Sequence, residues 1–500
     1  MTRYGRLLSH FSCSAATALL GAASLPSSAA AAACNGPAGT PAPTTTVCVT
    51  AVAIPGNPLR SYDITWVNTT RSEFYLADRS NRGVDIISTN SLTFLRTIDG
   101  FTINLTTSGG INTSTSGPNG VVAHGNWLYA GDGNSTLVTV NLTALPLNNP
   151  PKTAVGTGGT TRVDEMAITT DGLTLLAVNN AENPPFSTIF AAAGDATSTT
   201  FTPTIKGKVT VSTAIIPPGA GLGTEQPTWN PATSRFYVAV PRIANNPTGC
   251  NYGQLTGALT CSGGMLVIDP TKGSQTLGPF DPVSFTGVVP LDNCTPNGST
   301  LSINDMLMLG CTATPTYVIN DKPPFNYAAV ARIWGTDNIT FNSGDLRYYL
   351  GASKNPLLAG ENTANCVPSS SPTICPVLGV VDITSVLLET IPISSGSSKA
   401  AADPVHNYIF VPQSAPNLSP LGGDTTSNGA AICGTSNGCV AVYQNPTPQT
   451  PTQTPVITQT QTQGPTGRTQ SQSQSLSPRV PSLPRLPSGL PGLPGLPGLP

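Results

Sequence analysis

At 500 residues, with a formal net charge of -2 and only 9% charged side chains, the chain has no basic footprint for nucleic acid or an anionic membrane surface. Its 50 glycines and 49 prolines call for many turns, and no run keeps helical apolar spacing beyond about two turns, so the chain is expected to be all-β. No stretch approaches the ~20 continuous apolar residues of a membrane span, and no transmembrane segment is expected.

The N-terminus places Arg3 and Arg6 before an apolar stretch around Ala15–Leu25 and small residues from Ser27 to Ala33. That is the layout of a secretory signal peptide, so residues 1–33 are expected to be removed and the protein to be secreted, extracellular or periplasmic. Cys34 directly after the alanines also allows a lipoprotein reading, against which Ala31 stands where a lipobox carries a larger aliphatic residue. Apart from Cys13 in the signal segment, the cysteines fall into sequential couples: Cys34 and Cys48, Cys250 and Cys261, Cys294 and Cys311, Cys366 and Cys375, Cys433 and Cys439. An even set at short separations behind an export signal argues for disulfides. A zinc site is disfavoured, because no Cys-x-x-Cys occurs and only His124 and His406 remain outside the signal segment.

A lone strand, Cys48–Ile54, comes first and has no hairpin partner nearby. The stretch Tyr62–Asp99 then shows four short runs rich in β-branched and aromatic residues, separated by turn residues, as one blade of a β-propeller requires. Further repeats begin at Asn119, Val163, Glu225, Gly298, Asn338 and Lys399. The third resumes after a long insertion at Lys208–Ser212, and the fourth and sixth hold cysteine-bearing insertions. Two local signals recur. A polar turn (Asn68–Arg71, Thr170–Gly172, Asn230–Thr233, Asn342–Asp345, Asp403–His406) separates the first and second strands, and an Asp or Asn followed by Thr closes the third, as in Asn141–Thr143, Asp269–Thr271 and Asp382–Thr384.

The expected architecture is a seven-bladed β-propeller over residues 34–445, with six or eight blades as alternatives because insertions can hide or mimic one. The seventh repeat reaches only its third strand, Cys439–Tyr443, so the lone N-terminal strand is expected to close the ring as its outer strand and cover an open sheet edge. That placement brings Cys48 toward Cys439 and makes Cys48–Cys439 and Cys34–Cys433 rivals of the sequential pairing. From Pro446 the composition turns to Pro, Thr, Gln and Ser, ending in Gly-Leu-Pro triplets, and residues 446–500 read as a disordered tether.

First strands line the central channel of a propeller. At or just before their starts stand Asp63, Asn119, Asp164, Glu165, Glu225, Gln226, Asn297, Asp337 and Asn338, a concentration of carboxylates and amides in a chain this poor in charge. Converging oxygen donors suit Ca2+ or another divalent cation, for which Asp63, Asp164, Glu165, Glu225, Asn297 and Asp337 are the ligand candidates and Asn119, Gln226 and Asn338 channel-mouth neighbours. The plainer reading is that these side chains cap strands and tie blades together. No Gly-x-Ser-x-Gly elbow is present, and the two histidines are too few for a Ser-His-Asp arrangement. His406 sits in a turn; His124 follows a strand end near the rim. Sequons such as Asn68, Asn104 and Asn417 matter only in a host that glycosylates.

The run Leu76–Asp85 resembles the YVTN-type repeat of exported propellers, and Asp164–Ala167, Glu225–Pro231 and Ala402–Pro412 are similar to segments of that group. This resemblance covers Ser61 to Tyr443 and implies fold more firmly than activity. A looser similarity to gluconolactonase and regucalcin-like propellers implies one divalent metal in the channel, held by Glu165 or Glu225 with Asn297 and Asp337. The resulting expectation is a monomeric, exported binding or surface-interaction propeller taking a polar small molecule, a glycan or a protein. The alternative is a metal-dependent, lactonase-like hydrolase using the channel carboxylates. A quinone-cofactor dehydrogenase is disfavoured, since such propellers carry Trp-rich blade motifs and this chain has 4 Trp.

Overall fold

The computed structural model describes Cys34 and residues 45–219, 223–248, 250, 261–357, 366–367 and 373–445; residues 1–33 and 446–500 lie outside the described residues. Seven sheets follow one another along the chain, and in each the successive strands pair antiparallel, with one parallel strand added to the third sheet and the N-terminal strand added to the seventh. Their first strands are Tyr62–Asn68, Val121–His124, Met166–Ile168, Pro227–Asn230, Pro296–Leu301, Ile339–Asn342 and Ala401–Asp403. Each touches the first strands of the blades before and after it, and the last touches the first, so they encircle a channel.

The apolar core is a ring of interfaces. Seven clusters of buried side chains lie one between each pair of neighbouring blades, including Val84 with Leu128 between blades 1 and 2, and Phe74 with Phe410 between blades 7 and 1. Second strands are buried on both faces, which is why they read as unbroken apolar runs such as Phe74–Ala77 and Phe236–Val240.

The recurring first turn is an Asx turn. Asn68 Oδ1 accepts from Thr70 N at 3.1 Å, Asn230 Oδ1 from Ala232 N at 2.8 Å, Asn342 Oδ1 from Gly344 N at 3.0 Å, and Asp403 Oδ1 from Val405 N at 2.9 Å. The residue closing each of these loops, Ser72, Ser234, Leu346 or Asn407, has positive φ, which turns the chain back with the twist of the hairpin. The asparagine amides also reach the next blade, as Asn68 Nδ2 does to Gly125 O at 2.8 Å and Asn230 Nδ2 to Asp321 Oδ2 at 2.8 Å. The third-strand closers work alike: Asn141, Asp269 and Asp382 each accept from both the backbone N–H and the hydroxyl of the threonine two residues on.

Val47–Val52 pairs antiparallel with Cys439–Gln444 as the outer strand of blade 7, so the ring closes as the sequence suggests. Its register sets Cys48 opposite Tyr443 and Val52 opposite Val440, which leaves Cys439 at the far end of the pair from Cys48. The disulfides are accordingly the sequential ones, and the cross-strand rivals do not form. Glu389 of blade 6 secures the entering chain by accepting from the amides of Thr45 and Thr46, each at 3.1 Å.

Two elements depart from expectation. The insertion of blade 3 contains that blade's own third strand, Phe186–Ala191, hidden in sequence by the flanking Pro184–Pro185 and a run of small residues. Blade 3 also gains a fifth strand, Gln275–Leu277, lent by blade 4 and paired parallel to the outer strand Thr204–Val211. Three residues are too few to register as a strand in sequence, yet they cover an edge.

Candidate functional site

A polar layer surrounds the starts of the first strands. Asp63, Asn119, Asp164, Glu225, Asn297 and Asp337 occupy equivalent places in six blades; Glu165, Gln226 and Asn338 follow one residue on. In an open channel these groups would be wet. Here Asn119, Asp164, Glu165, Glu225, Asn297 and Asn338 are all buried, and Asp63 is only 8% exposed.

The layer is satisfied by cations that the sequence pattern does not single out. Arg79 Nη1 lies 2.6 Å from both Asp63 Oδ2 and Asn119 Oδ1, and Nη2 donates to Tyr62 O at 2.6 Å. Lys399 Nζ bridges Asp337 Oδ2 at 2.7 Å and Asp63 Oδ1 at 3.4 Å. Arg162 binds Asp164 Oδ2 through Nη2 at 2.7 Å and Nε at 2.9 Å, and Nε also reaches Asn180 Oδ1 at 3.2 Å, whose amide donates to Glu225 Oε1 at 3.0 Å. A signal for two of these was present: Arg162 precedes Asp164 by two residues, and Lys399 begins the seventh repeat just before its first strand.

The amides tie blades together. Gln226 Oε1 accepts from Ser299 N at 2.9 Å and Ile339 N at 3.3 Å, joining blade 4 to blades 5 and 6. Asn338 Oδ1 accepts from Ala400 N at 3.3 Å, and Asn297 Oδ1 from the Thr312 hydroxyl at 2.9 Å within its own blade. The plainer expectation for these residues therefore describes much of what they do.

Below the layer, toward the ends of the first strands, lies a cavity of roughly 360 Å³. Glu165, Gln226 and Asn338 line it at the polar end, and Trp66, Trp229, Leu301 and Phe341 line it near the mouth, where Thr170 and Pro231 are exposed. Asp63, Asp164, Asp337 and Lys399 of the ion pairs each directly precede a lining residue in sequence. Two polar atoms of residues lining the cavity, Glu165 Oε2 and Thr65 Oγ1, have no hydrogen-bond partner among the described residues, and Asp164 Oδ1 just above is in the same condition.

Burial and charge sort the carboxyls. Burial alone would raise Asp63, but Arg79, Lys399 and Arg162 overcome it and hold that carboxyl far below the usual range. Burial and then the Asp164 and Asp337 charges push Glu225 up to about 8, against Arg162 and Lys399. Burial raises Glu165 well above the ordinary value, with the Glu225, Asp164 and Asp337 charges adding to it and Lys399 opposing. Lys399 goes the other way: Asp337, Asp63 and Glu165 outweigh its desolvation and hold it charged. The layer therefore combines ion pairs with Glu225, whose carboxyl largely keeps its proton at neutral pH, and with Glu165, whose carboxyl is pushed in the same direction.

Among the described residues no group of three or more His, Cys, Asp or Glu side chains is arranged to hold a metal ion. Asp63, Asp164 and Asp337 each already face an arginine or lysine. The histidines stand at turns on the mouth side: His124 Nε2 is 3.7 Å from Asp195 Oδ1, and His406 Nδ1 is 2.6 Å from Asp403 Oδ2.

Seven sheets about a closed channel define a seven-bladed β-propeller. No protein family and no curated protein matches the chain. Among solved structures, the hydrazine synthase of Kuenenia stuttgartiensis is similar at 9% identity with a TM-score of 0.46, covering 72% of this chain and 95% of that one.

Proposed function

We propose that this propeller is a binding protein that takes a small, partly polar ligand into its central cavity from the side of the aromatic mouth. The observation that carries the reading is a cavity on the channel that grades from a polar end at Glu165, Gln226 and Asn338 to an aromatic mouth at Trp66, Trp229 and Phe341. The size selects among the expected ligands: roughly 360 Å³ falls within the range of small-molecule sites and is too little for a folded partner. Native mass spectrometry of the purified protein should show a bound small molecule. Thr300→Trp, which places a large ring at the mouth, should abolish that adduct while leaving the far-UV spectrum unchanged. An adduct that persists in the variant would refute the channel as its site.

A second reading, metal-dependent hydrolysis of a lactone, is favoured only by the unpartnered oxygens of Asp164 and Glu165. It is opposed by the arginine and lysine partners of the neighbouring carboxylates, so no chemical step is assigned to a metal. Ca2+ titration of thermal stability, run beside lactone turnover in wild type and Asp337→Ala, decides it: turnover that needs both Ca2+ and Asp337 would establish the enzyme reading.

A further inference from the structure

We infer that the ligand of this cavity is a single neutral sugar ring, lying with its C–H face on Trp66 and its hydroxyls toward Thr300 and Thr340. The inference rests on the channel-binding reading above and deepens it.

The register of the first strands sets the walls. Trp66, Thr228, Thr340 and Ala401 each stand two residues before the Asx-turn residue of their blade, Asn68, Asn230, Asn342 or Asp403. Ala167 and Thr300 hold the same level in blades 3 and 5, three residues beyond Asp164 and Asn297 as Trp66 is beyond Asp63. All six line the cavity. One level of the channel therefore carries an indole in blade 1, hydroxyls in blades 4, 5 and 6, and only methyl groups in blades 3 and 7.

The indole wall is broad. Trp66 Nε1 donates to Ala123 O of blade 2 at 3.1 Å, so the ring reaches across to the neighbouring blade, and among the described residues none of blade 2 lines the cavity. With its N–H already engaged, half-buried Trp66 offers an occupant ring surface. An aromatic face is negatively polarised and attracts the C–H groups of a saturated ring laid on it.

The hydroxyl wall stands across the channel, since blades 4 to 6 oppose blades 1 and 2 in a ring of seven. Thr228 is engaged, its hydroxyl donating to Ser299 O at 2.8 Å. The hydroxyls of Thr300 and Thr340 have no partner among the described residues, and both residues are half-buried, so an occupant of the cavity reaches them. A threonine hydroxyl both donates and accepts, as a sugar hydroxyl does, so the two kinds of group pair in either sense. The ligand is neutral because of what the walls lack. Among the described lining residues Glu165 alone is titratable, and burial raises its carboxyl well above the ordinary value. A charged ligand would leave water without a counter-charge in these walls.

The test titrates the full chain, by tryptophan fluorescence and saturation-transfer NMR, with the methyl glycosides of glucose, galactose and mannose. They are set against methoxycyclohexane, which keeps the ring and lacks the hydroxyls, and glucuronate, which adds a charge. At least one glycoside should bind about tenfold more tightly than methoxycyclohexane, the margin of two ordinary hydrogen bonds, and more tightly than glucuronate. Thr300→Val and Thr340→Val each remove one hydroxyl; either should cut that margin by about threefold, and the double variant should erase it. A margin absent in wild type or surviving in the double variant, or tighter binding of glucuronate, overturns the sugar inference and leaves the channel reading standing. If no probe binds, native mass spectrometry separates the two readings. An adduct that Thr300→Trp removes keeps the channel reading without the sugar, and the absence of any adduct overturns both. The comparison of glycosides with methoxycyclohexane on wild type holds even if a variant does not fold.

Discussion

The two ends of the first strands use the same seven-fold scaffold for opposite purposes. At their starts, Asp63, Asp164 and Glu225 are buried and Asp337 is half-buried, and the four are locked by Arg79, Arg162, Asn180 and Lys399. Toward their ends, Trp66, Trp229, Leu301 and Phe341 stay half-exposed around a cavity. The difference teaches that placing a residue on the channel does not settle its exposure: the charged end has become interior and the apolar end is the entrance.

That contrast breaks most visibly at Lys399. Lys399→Met takes the lysine from half-buried Asp337 and leaves buried Asp63 with Arg79 alone, and the expected loss is about 3 kcal/mol in urea unfolding. A loss below about 1 kcal/mol would mean that the layer is wet, since exposed pairs contribute no more than that.

Next in size is a pH effect. Glu225 titrates near 8 in the fold against an ordinary 4.5. Below the ordinary value both folded and unfolded chains are protonated and nothing is lost. Between the two values the unfolded chain releases its proton while the folded one keeps it, so stability falls as pH rises, by at most about 1.4 kcal/mol per pH unit for this group. Above about 8 the contribution of Glu225 is flat. Glu165, also raised, acts in the same direction, whereas the depressed Asp63 contributes stability that is lost only in acid. In a comparison of unfolding free energy from pH 5 to 8, Glu225→Gln should show a shallower decline than wild type. Identical slopes would remove the claim that this carboxyl is desolvated.

The mouth should tolerate more. Trp66→Phe keeps an aromatic surface but removes the indole N–H that donates to Ala123 O at 3.1 Å, so about 1 kcal/mol is expected in Tm-based comparison. Asn68→Ala, which loses the Asx turn and the bond to Gly125, should cost a similar amount. If either cost as much as Lys399→Met, the two ends would not differ as described.

Much of the architecture was legible because it is locally encoded. Asn68, Asn230, Asn342 and Asp403 announce their turns by type and position, and Asn141, Asp269 and Asp382 announce the strand ends with their threonines. The missing fourth strand of blade 7 made the closing role of Val47–Val52 readable by elimination. Less local features escaped. Gln275–Leu277 forms a strand only because an edge from another blade is beside it. The disulfide rivalry was settled by the register of Cys48 against Tyr443, which composition does not reveal. At the site, the carboxylates and amides were found from their place before each first strand, but their partners were not. Arg79 comes from a turn 16 residues beyond Asp63, and Lys399 lies 62 residues from Asp337. Whether a carboxylate on a channel waits for a ligand or is already countered depends on such distant side chains.

The strand that closes the ring has a consequence for how the chain must fold. Asn445 hydrogen-bonds to Thr46 across 399 residues, so the last blade is completed only when the two ends of the propeller meet. By the logarithmic dependence of loop closure, joining ends ~400 residues apart costs on the order of 5 kcal/mol of chain entropy. Each blade already stacked shortens the free loop that still has to close. Seven blades assembled in order therefore turn one improbable encounter into a final short step, and the seam at Val47–Val52 is where a circular permutant, opened instead between blades 3 and 4, would fold by a different order of events.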